Sequence, residues 1–323
     1  MRWTWIAAVI LATLANGQTP GQVTERVTCQ ARPEQSYALY LPSTYTPDRP
    51  WPVMFVFDPA ARALLALKLF QPGAEEHGYI VLVSWNSRNG SFESSRQAME
   101  AMWDDARTRF AFDGRRAYAA GFSGGARSAM WFALGSASFA GVIASGGGFP
   151  GGPFEPPDKI GGDVFGSAGE EDFNLSEMQM MERHLGKLKT PHKFVFHEGP
   201  HAWAPSAVIS EAMAWFQARA MATGRAERTA ALLEYKRLQE DRIAAAPPAA
   251  QLRLARSLAF VFPDEWAAKA AETARSKPVR KALEQEQSLE QKQLAAESEF
   301  GRLEREDRGS LAAELRRWAK RAG

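Results

Sequence analysis

A serine set between two glycines is the feature of this sequence best suited to carry chemistry. Gly121, Ser123 and Gly125 form a Gly-x-Ser-x-Gly pentapeptide that follows an apolar run and precedes a helix-forming stretch. When a strand turns abruptly into a helix, the turn is strained and the serine hydroxyl projects, and glycines leave room for the close backbone approach. The pattern predicts a nucleophilic Ser123. A glycine-rich turn without chemistry is the alternative.

A histidine in a late loop is the natural base for this serine. A serine hydroxyl is a weak nucleophile at neutral pH, so it needs a base to take its proton and an acid to orient the base. Of the five histidines in the chain, His201 follows the last predicted strand, where the chain order serine, acid, histidine places the base. The others lie in predicted helices or strands, at His77, His184, His192 and His197. We therefore predict His201, with an ordinary hydrogen-bonded loop histidine as the alternative.

The orienting acid should lie in the loop after the preceding strand, which contains three carboxylates within residues 166–174. Asp172 is favoured because it ends the loop just before a helix, where an inward carboxylate can reach an imidazole. Glu170 and Glu171 remain alternatives. A helix N-cap is the competing role for Asp172.

Two hydrogen-bond donors are needed for the negative oxygen that develops during acyl transfer. Gly124 follows the serine, and its amide is predicted to be one of them. The other should come from the loop that begins at Asp58, after an apolar strand. Because Pro59 has no N–H, Ala60 is favoured and Ala61 is second. The Asp58 carboxylate is expected to turn away from the oxygen and to bind backbone amides.

Alternating apolar strands and amphipathic helices must position these loops. Such alternation predicts an α/β fold with a mostly parallel sheet and helices on both faces, and two early strands suggest an antiparallel edge. In sheets of this kind, active residues collect beyond the carboxyl ends of the strands. The predicted strands are residues 23–31, 36–41, 51–57, 79–84, the run before Ser123, 139–144, 163–167 and 193–197.

Both ends of the chain differ in composition from this central region. Arg2, an apolar run from Trp3 to Leu14, and small residues up to Gly17 are typical of a secretory signal peptide, with an uncleaved membrane anchor as the alternative. From Thr223 onward strand-like runs disappear, and Ala, Glu, Arg, Lys, Leu and Gln dominate. The predicted organisation is therefore a signal peptide over residues 1–17, an α/β domain over 18–222 and a helical extension over 223–323. The extension is either a solvated appendage or a surface for a partner or for self-association.

Overall charge and cysteine content narrow the functional classes. The 323-residue chain has a formal net charge of +2, which argues against a nucleic-acid partner. Its single cysteine, Cys29, cannot form an internal disulfide, so the fold must depend on its apolar core. No segment after the N-terminal run is apolar enough for a membrane span, and no metal site is predicted.

The chain resembles the α/β-hydrolase superfamily over residues 36–221. Within that group, the segment Tyr37–Pro42 followed by Trp51–Pro59 is similar to secreted esterases of the polyhydroxybutyrate-depolymerase and feruloyl-esterase type. It also resembles the dienelactone-hydrolase and prolyl-oligopeptidase-like groups. Many members have His-Gly where this chain has Asp58-Pro59, and the loop with the acid is longer here than the usual turn.

This resemblance implies a Ser-His-Asp triad of Ser123, His201 and Asp172, an acyl-enzyme intermediate and no cofactor. The expected function is an exported serine hydrolase that cleaves small or polymeric carboxylic esters. A serine peptidase on the same fold, or a non-catalytic scaffold that works through the helical extension, is the alternative. Four further side chains are predicted to contact substrate, at Trp85, Asn86, Phe122 and Trp203.

Overall fold

The computed structural model describes residues 18–90, 92–135, 138–152, 155–292 and 295. The predicted signal peptide, residues 1–17, lies outside the described residues, and so does most of the chain after residue 292. Within the described ranges, none of the helices has both the length and the apolar character required to cross a bilayer.

One mixed sheet forms the centre of the described chain. Its spatial order is β1-β2-β4-β3-β5-β6-β7-β8. The pairings of β1 with β2 and of β2 with β4 are antiparallel, and every later pairing is parallel. The predicted mostly parallel sheet with an antiparallel edge is therefore confirmed. The strands are β1 (Val23–Thr28), β2 (Ser36–Tyr40), β3 (Trp51–Phe57), β4 (Ile80–Ser84), β5 (Phe112–Phe122), β6 (Gly141–Ser145), β7 (Asp163–Gly169) and β8 (His192–His197).

Helices cover both faces of the sheet, as predicted. They are α1 (Ala63–His77), α2 (Phe92–Arg109), α3 (Gly124–Gly135), α4 (Leu175–Leu188), α5 (Ser206–Ala222), α6 (Ala230–Ala245), α7 (Pro248–Val261) and α8 (Pro263–Arg275). Residues 277–292 are also helical. Apolar side chains of α2, α3 and α4 pack in one core, whereas those of α1, α5 and the later helices pack in the other.

Strand β3 shows why the central strands are apolar at every position. Val53, Phe55 and Phe57 point into the core beneath α2 and α3. Met54 and Val56, which alternate with them, point into the core beneath α1 and α5. A strand covered on both faces has no solvent side, so an unbroken apolar run replaces the alternation of a half-exposed strand.

The C-terminal helices continue one of these cores. Leu258 of α7 and Trp266 of α8 are buried in the same cluster as Trp215 and Phe216 of α5. The predicted helical extension is therefore present in the described residues, and it shares apolar surface with the α/β region. The boundary at residue 222 stays a prediction.

A buried ionic cluster also joins the sheet to the C-terminal helices. The ammonium of Lys193, on β8, lies 2.7 Å from Glu211 Oε1 and donates to Gln239 Oε1 at 2.8 Å. Arg242 of α6 lies 2.9 Å from the same Glu211 oxygen. Burial lowers the pKa of Lys193, against the opposing effect of Glu211. Because unpaired buried charges are costly, these contacts indicate that α6 belongs on this face of the sheet.

Candidate active site

Ser123 lies on a strained turn between β5 and α3. Its φ of 53° is in the left-handed region that non-glycine residues seldom adopt. A methyl group on Gly121 would lie 2.1 Å from the carbonyl oxygen of Gly125, and one on Gly125 would lie 2.1 Å from that of Phe57. Both positions therefore require glycine, which is the reason for the spacing of the pentapeptide.

Three side chains that are far apart in sequence form a hydrogen-bonded chain at this turn. His201 Nε2 lies 3.0 Å from Ser123 Oγ, and His201 Nδ1 lies 2.7 Å from Asp172 Oδ1. The Asp172 residue is only 2% exposed. Its Oδ1 also accepts the backbone N–H of Asn174 at 2.7 Å, which fixes the carboxylate. This arrangement can remove a proton from the serine and stabilise the resulting imidazolium.

The loop that carries the acid is short and well ordered by backbone contacts. Strand β7 continues to Gly169, and the amide of Asp172 donates to the Gly169 carbonyl at 3.1 Å. The predicted strand, residues 163–167, ends two residues earlier than β7, so the predicted loop is longer than the observed one. Glu170 and Glu171, the alternative acids, are exposed. Of the three carboxylates, only that of Asp172 is hydrogen-bonded to His201 in the described structure.

Aromatic rings pack on both sides of the His201 imidazole. The Phe122 ring centroid lies 4.7 Å from it and the Phe173 centroid lies 4.0 Å from it. Phe122 and Trp203 are both buried, and their ring centroids lie 5.7 Å apart; their contact with substrate stays a prediction. Phe173, by contrast, is 64% exposed. Phe173 is not among the predicted site residues, although its position directly after the favoured acid was a usable signal.

The predicted oxyanion donors have different surroundings. Gly124 is the first residue of α3, so its amide has no acceptor within the helix and is available to a ligand. The Ala60 amide donates to Asp58 Oδ1 at 2.8 Å, and the Ala61 amide donates to the Asp58 carbonyl oxygen at 3.2 Å. The choice of Ala60, with Ala61 second, therefore needs correction, because neither amide is free to bind a substrate oxygen.

Asp58 holds this loop against the loop that carries the histidine. The residue is fully buried, and its Oδ2 accepts the indole N–H of Trp203 at 2.8 Å and Arg62 Nη2 at 2.9 Å. Its Oδ1 accepts the amides of Ala60 and Arg62, in line with the expected backbone bonds. Burial alone would raise the pKa of Asp58, but the hydrogen bonds from Arg62, Trp203 and the amides hold it below its usual value.

Trp85 and Asn86 are directed toward the edge of the sheet. The Trp85 indole donates to the Glu25 carbonyl at 2.9 Å, and Asn86 Oδ1 accepts the Ser36 amide at 2.9 Å. These residues follow β4, and β3 lies between β4 and β5, the strand of the nucleophile. The two side chains therefore brace the β1–β2 hairpin, which corrects the expectation that they line an acyl pocket.

An ion pair links the helix after the nucleophile to the helix after the acid. Arg127 of α3 and Glu177 of α4 form two parallel hydrogen bonds of 2.8 Å and 2.7 Å. Glu177 Oε1 also accepts the Gly148 amide at 2.8 Å, and Arg127 donates to the Phe149 carbonyl at 2.8 Å. A two-pronged contact of this kind constrains both distance and angle between the helices. It therefore positions the elements that carry Ser123.

The fold is that of the α/β-hydrolases, and known structures with this fold include esterases. A ferulic acid esterase is similar over 62% of this chain and 98% of its own, with 12% identity and a TM-score of 0.50. The S-formylglutathione hydrolase of Staphylococcus aureus shows 15% identity over 62% and 98%, with a TM-score of 0.48. An esterase of Pyrobaculum calidifontis shows 12% identity over 68% and 92%, with a TM-score of 0.48. No protein-family model and no curated protein matches the sequence.

Proposed function

We propose that this protein is a serine hydrolase that cleaves carboxylic esters. The observation that carries the proposal is the unbroken contact from Ser123 Oγ to His201 Nε2, at 3.0 Å, and from His201 Nδ1 to Asp172 Oδ1, at 2.7 Å. The left-handed backbone of the serine supports the same conclusion, because strain of this kind is held where it serves a function.

The chemistry would proceed in two halves. Ser123 Oγ attacks the ester carbonyl while His201 Nε2 takes its proton, and Asp172 stabilises the imidazolium. The amide of Gly124 donates to the oxygen that becomes negative. The tetrahedral intermediate then breaks its bond to the alcohol oxygen, which takes the proton from His201 and leaves as an alcohol, while the acyl group stays on Ser123. A water molecule, deprotonated by the same nitrogen, releases the acid and restores the serine.

Export is part of the proposal and rests on the sequence alone. Arg2, the apolar run that follows and the small residues before Gln18 have the order expected of a cleaved secretory signal. The mature protein would then begin near Gln18 and work in the periplasm or the medium. Mass spectrometry of the protein recovered from a secreting host would identify the first residue, and an intact N-terminus would contradict export by this route.

Replacement of Ser123 by Ala tests the catalytic proposal directly. The hydroxyl accounts for the covalent step, so Ser123→Ala should lower ester turnover by at least about 10⁴-fold and leave the melting temperature nearly unchanged. Hydrolysis of nitrophenyl esters and labelling by a fluorophosphonate probe give two independent readouts. Retained turnover, or failure of the folded wild-type protein to react with the probe, would overturn the proposal. A chromogenic peptide assayed in parallel separates ester from amide cleavage.

A further inference from the structure

The oxyanion site has one assigned donor where acyl transfer requires more. The amide of Gly124 stands at the start of a helix, but the Ala60 and Ala61 amides are bound to Asp58. Pro59 has no N–H to offer. The loop after β3 therefore supplies no free amide from these three positions, and another group near Gly124 must act if the site is to be complete.

Asn89, from the loop after β4, lies directly against Gly124. A methyl group built on Gly124 would lie 1.9 Å from Asn89 Oδ1 and 2.9 Å from Asn89 Cγ. The side chain of Asn89 thus occupies the space that a side chain at residue 124 would fill. The backbone of Asn89 is held in place, because its N–H donates to the Pro59 carbonyl oxygen at 2.7 Å.

We propose that the side-chain amide of Asn89 is the second hydrogen-bond donor to the developing oxyanion, beside the backbone amide of Gly124. This inference rests on the proposed function, since it names a further group of the same site. Asparagine side chains serve this purpose in other hydrolases, where removal of one such donor lowers kcat by about 10²–10³-fold. The donor acts only by a hydrogen bond, so no proton is transferred from it.

The surroundings of Asn89 leave its amide group able to turn toward substrate. The side chain is exposed and has no hydrogen-bond partner among the described residues. The oxygen and nitrogen of a side-chain amide have nearly the same shape, so a half-turn exchanges them without a steric change. An acyl oxygen at the start of α3 favours the orientation with Nδ2 inward, because a negative acceptor selects a donor.

Replacement of Asn89 should separate transition-state stabilisation from substrate binding. We expect Asn89→Ala to lower kcat for a nitrophenyl ester by about 100-fold with little change in KM, since the bond strengthens only as charge develops. Asn89→Asp, which has the same shape but cannot donate, should lose at least as much. Affinity for a boronic acid that mimics the tetrahedral state should fall in parallel. Arg88→Ala, which removes the exposed neighbouring side chain, is the control and should retain wild-type kinetics.

Gly124→Ala provides a second test of the same contact. This change keeps the amide of residue 124 but displaces Asn89, so it should reproduce most of the loss in kcat. The double variant with Asn89→Ala and Gly124→Ala should have the same kcat as Gly124→Ala alone, because both changes remove the same interaction. A folded Asn89→Ala variant with kcat within threefold of wild type would overturn the inference. Absence of ester turnover and of fluorophosphonate labelling in the wild-type protein would instead overturn the proposed function.

Discussion

Asp58→Asn is the perturbation for which the structure gives the clearest expectation. The carboxylate is fully buried, and each of its oxygens accepts hydrogen bonds. Oδ2 binds Trp203 Nε1 at 2.8 Å and Arg62 Nη2 at 2.9 Å, whereas Oδ1 binds the Ala60 amide at 2.8 Å. Asparagine keeps one carbonyl oxygen, which can preserve the contact with Ala60. It replaces the other oxygen with an NH₂ group, which cannot accept the N–H groups of Trp203 and Arg62.

The cost of this change can be worked out from the two contacts that are lost. The indole N–H of Trp203 is left without an acceptor in a buried site, which costs about 1–3 kcal/mol. The Arg62 side chain is 44% exposed, so water replaces much of that contact, and about 1 kcal/mol is lost there. The sum is about 3 kcal/mol, which lowers the melting temperature of a domain of this size by roughly 6–12 °C.

The difference in melting temperature between the wild-type protein and Asp58→Asn should depend on pH in a defined direction. In the folded protein the pKa of Asp58 is held below its usual value, so the ionised carboxylate contributes stability above the unfolded-state pKa of about 3.9. That contribution is lost as the pH falls through the folded-state value. The gap in melting temperature should therefore be full at pH 7 and should begin to narrow below about pH 4.

Thermal unfolding followed by circular dichroism from pH 7 to pH 3 provides the measurement. Asp241→Asn is the matched control, because that carboxylate is 68% exposed and lies 3.1 Å from Arg237. It should change stability by less than about 0.5 kcal/mol at every pH. The reasoning would be refuted if Asp58→Asn changed stability by less than about 0.5 kcal/mol at pH 7. It would also be refuted if the difference in melting temperature from wild type stayed constant down to pH 3.

Two further substitutions examine substrate contact and the role of the C-terminal helices. Phe173→Ala should lower kcat/KM for phenyl esters about three- to tenfold relative to methyl esters of the same acid, because its exposed ring beside His201 can stack on an aromatic alcohol; equal losses for both esters would contradict this role. Leu258→Ala removes a fully buried side chain from the core shared with α5, so it should cost about 3 kcal/mol and shift one cooperative transition of the whole chain. Leu238→Ala, at a 45% exposed site, should have little effect, and a shift confined to a separate minor transition would indicate an independent helical unit.

Local sequence patterns predicted the main elements and the loops that carry the reactive side chains. The apolar run of β3 was predicted with the bounds that the structure shows, because a strand covered on both faces leaves a strong signal. The positions of Ser123, Asp172 and His201 after β5, β7 and β8 also follow from local pattern. Their mutual distances do not, since these depend on how the strands are ordered in the sheet.

Local sequence patterns do not reveal the order of the strands in the sheet, or which side chains bind the backbone amides near the site. Trp85 follows β4, and the insertion of β3 between β4 and β5 separates β4 from the strand of the nucleophile. Whether the Ala60 amide is free depends on the rotamer of Asp58, two residues earlier. A rotamer is chosen by distant partners, here the indole of Trp203, and local spacing does not encode such partners.

Asn89 connects the Asp58-Pro59 loop with Gly124, because it contacts both. The backbone amides of Ala60 and Arg62 donate to the buried Asp58 carboxylate, which also accepts the Trp203 indole N–H. Asn89, whose backbone N–H donates to the Pro59 carbonyl, lies against residue 124 only because that residue has no side chain. A chain with a larger residue at 124 would have to move Asn89, so the two positions should vary together if the Asn89 amide serves the oxyanion.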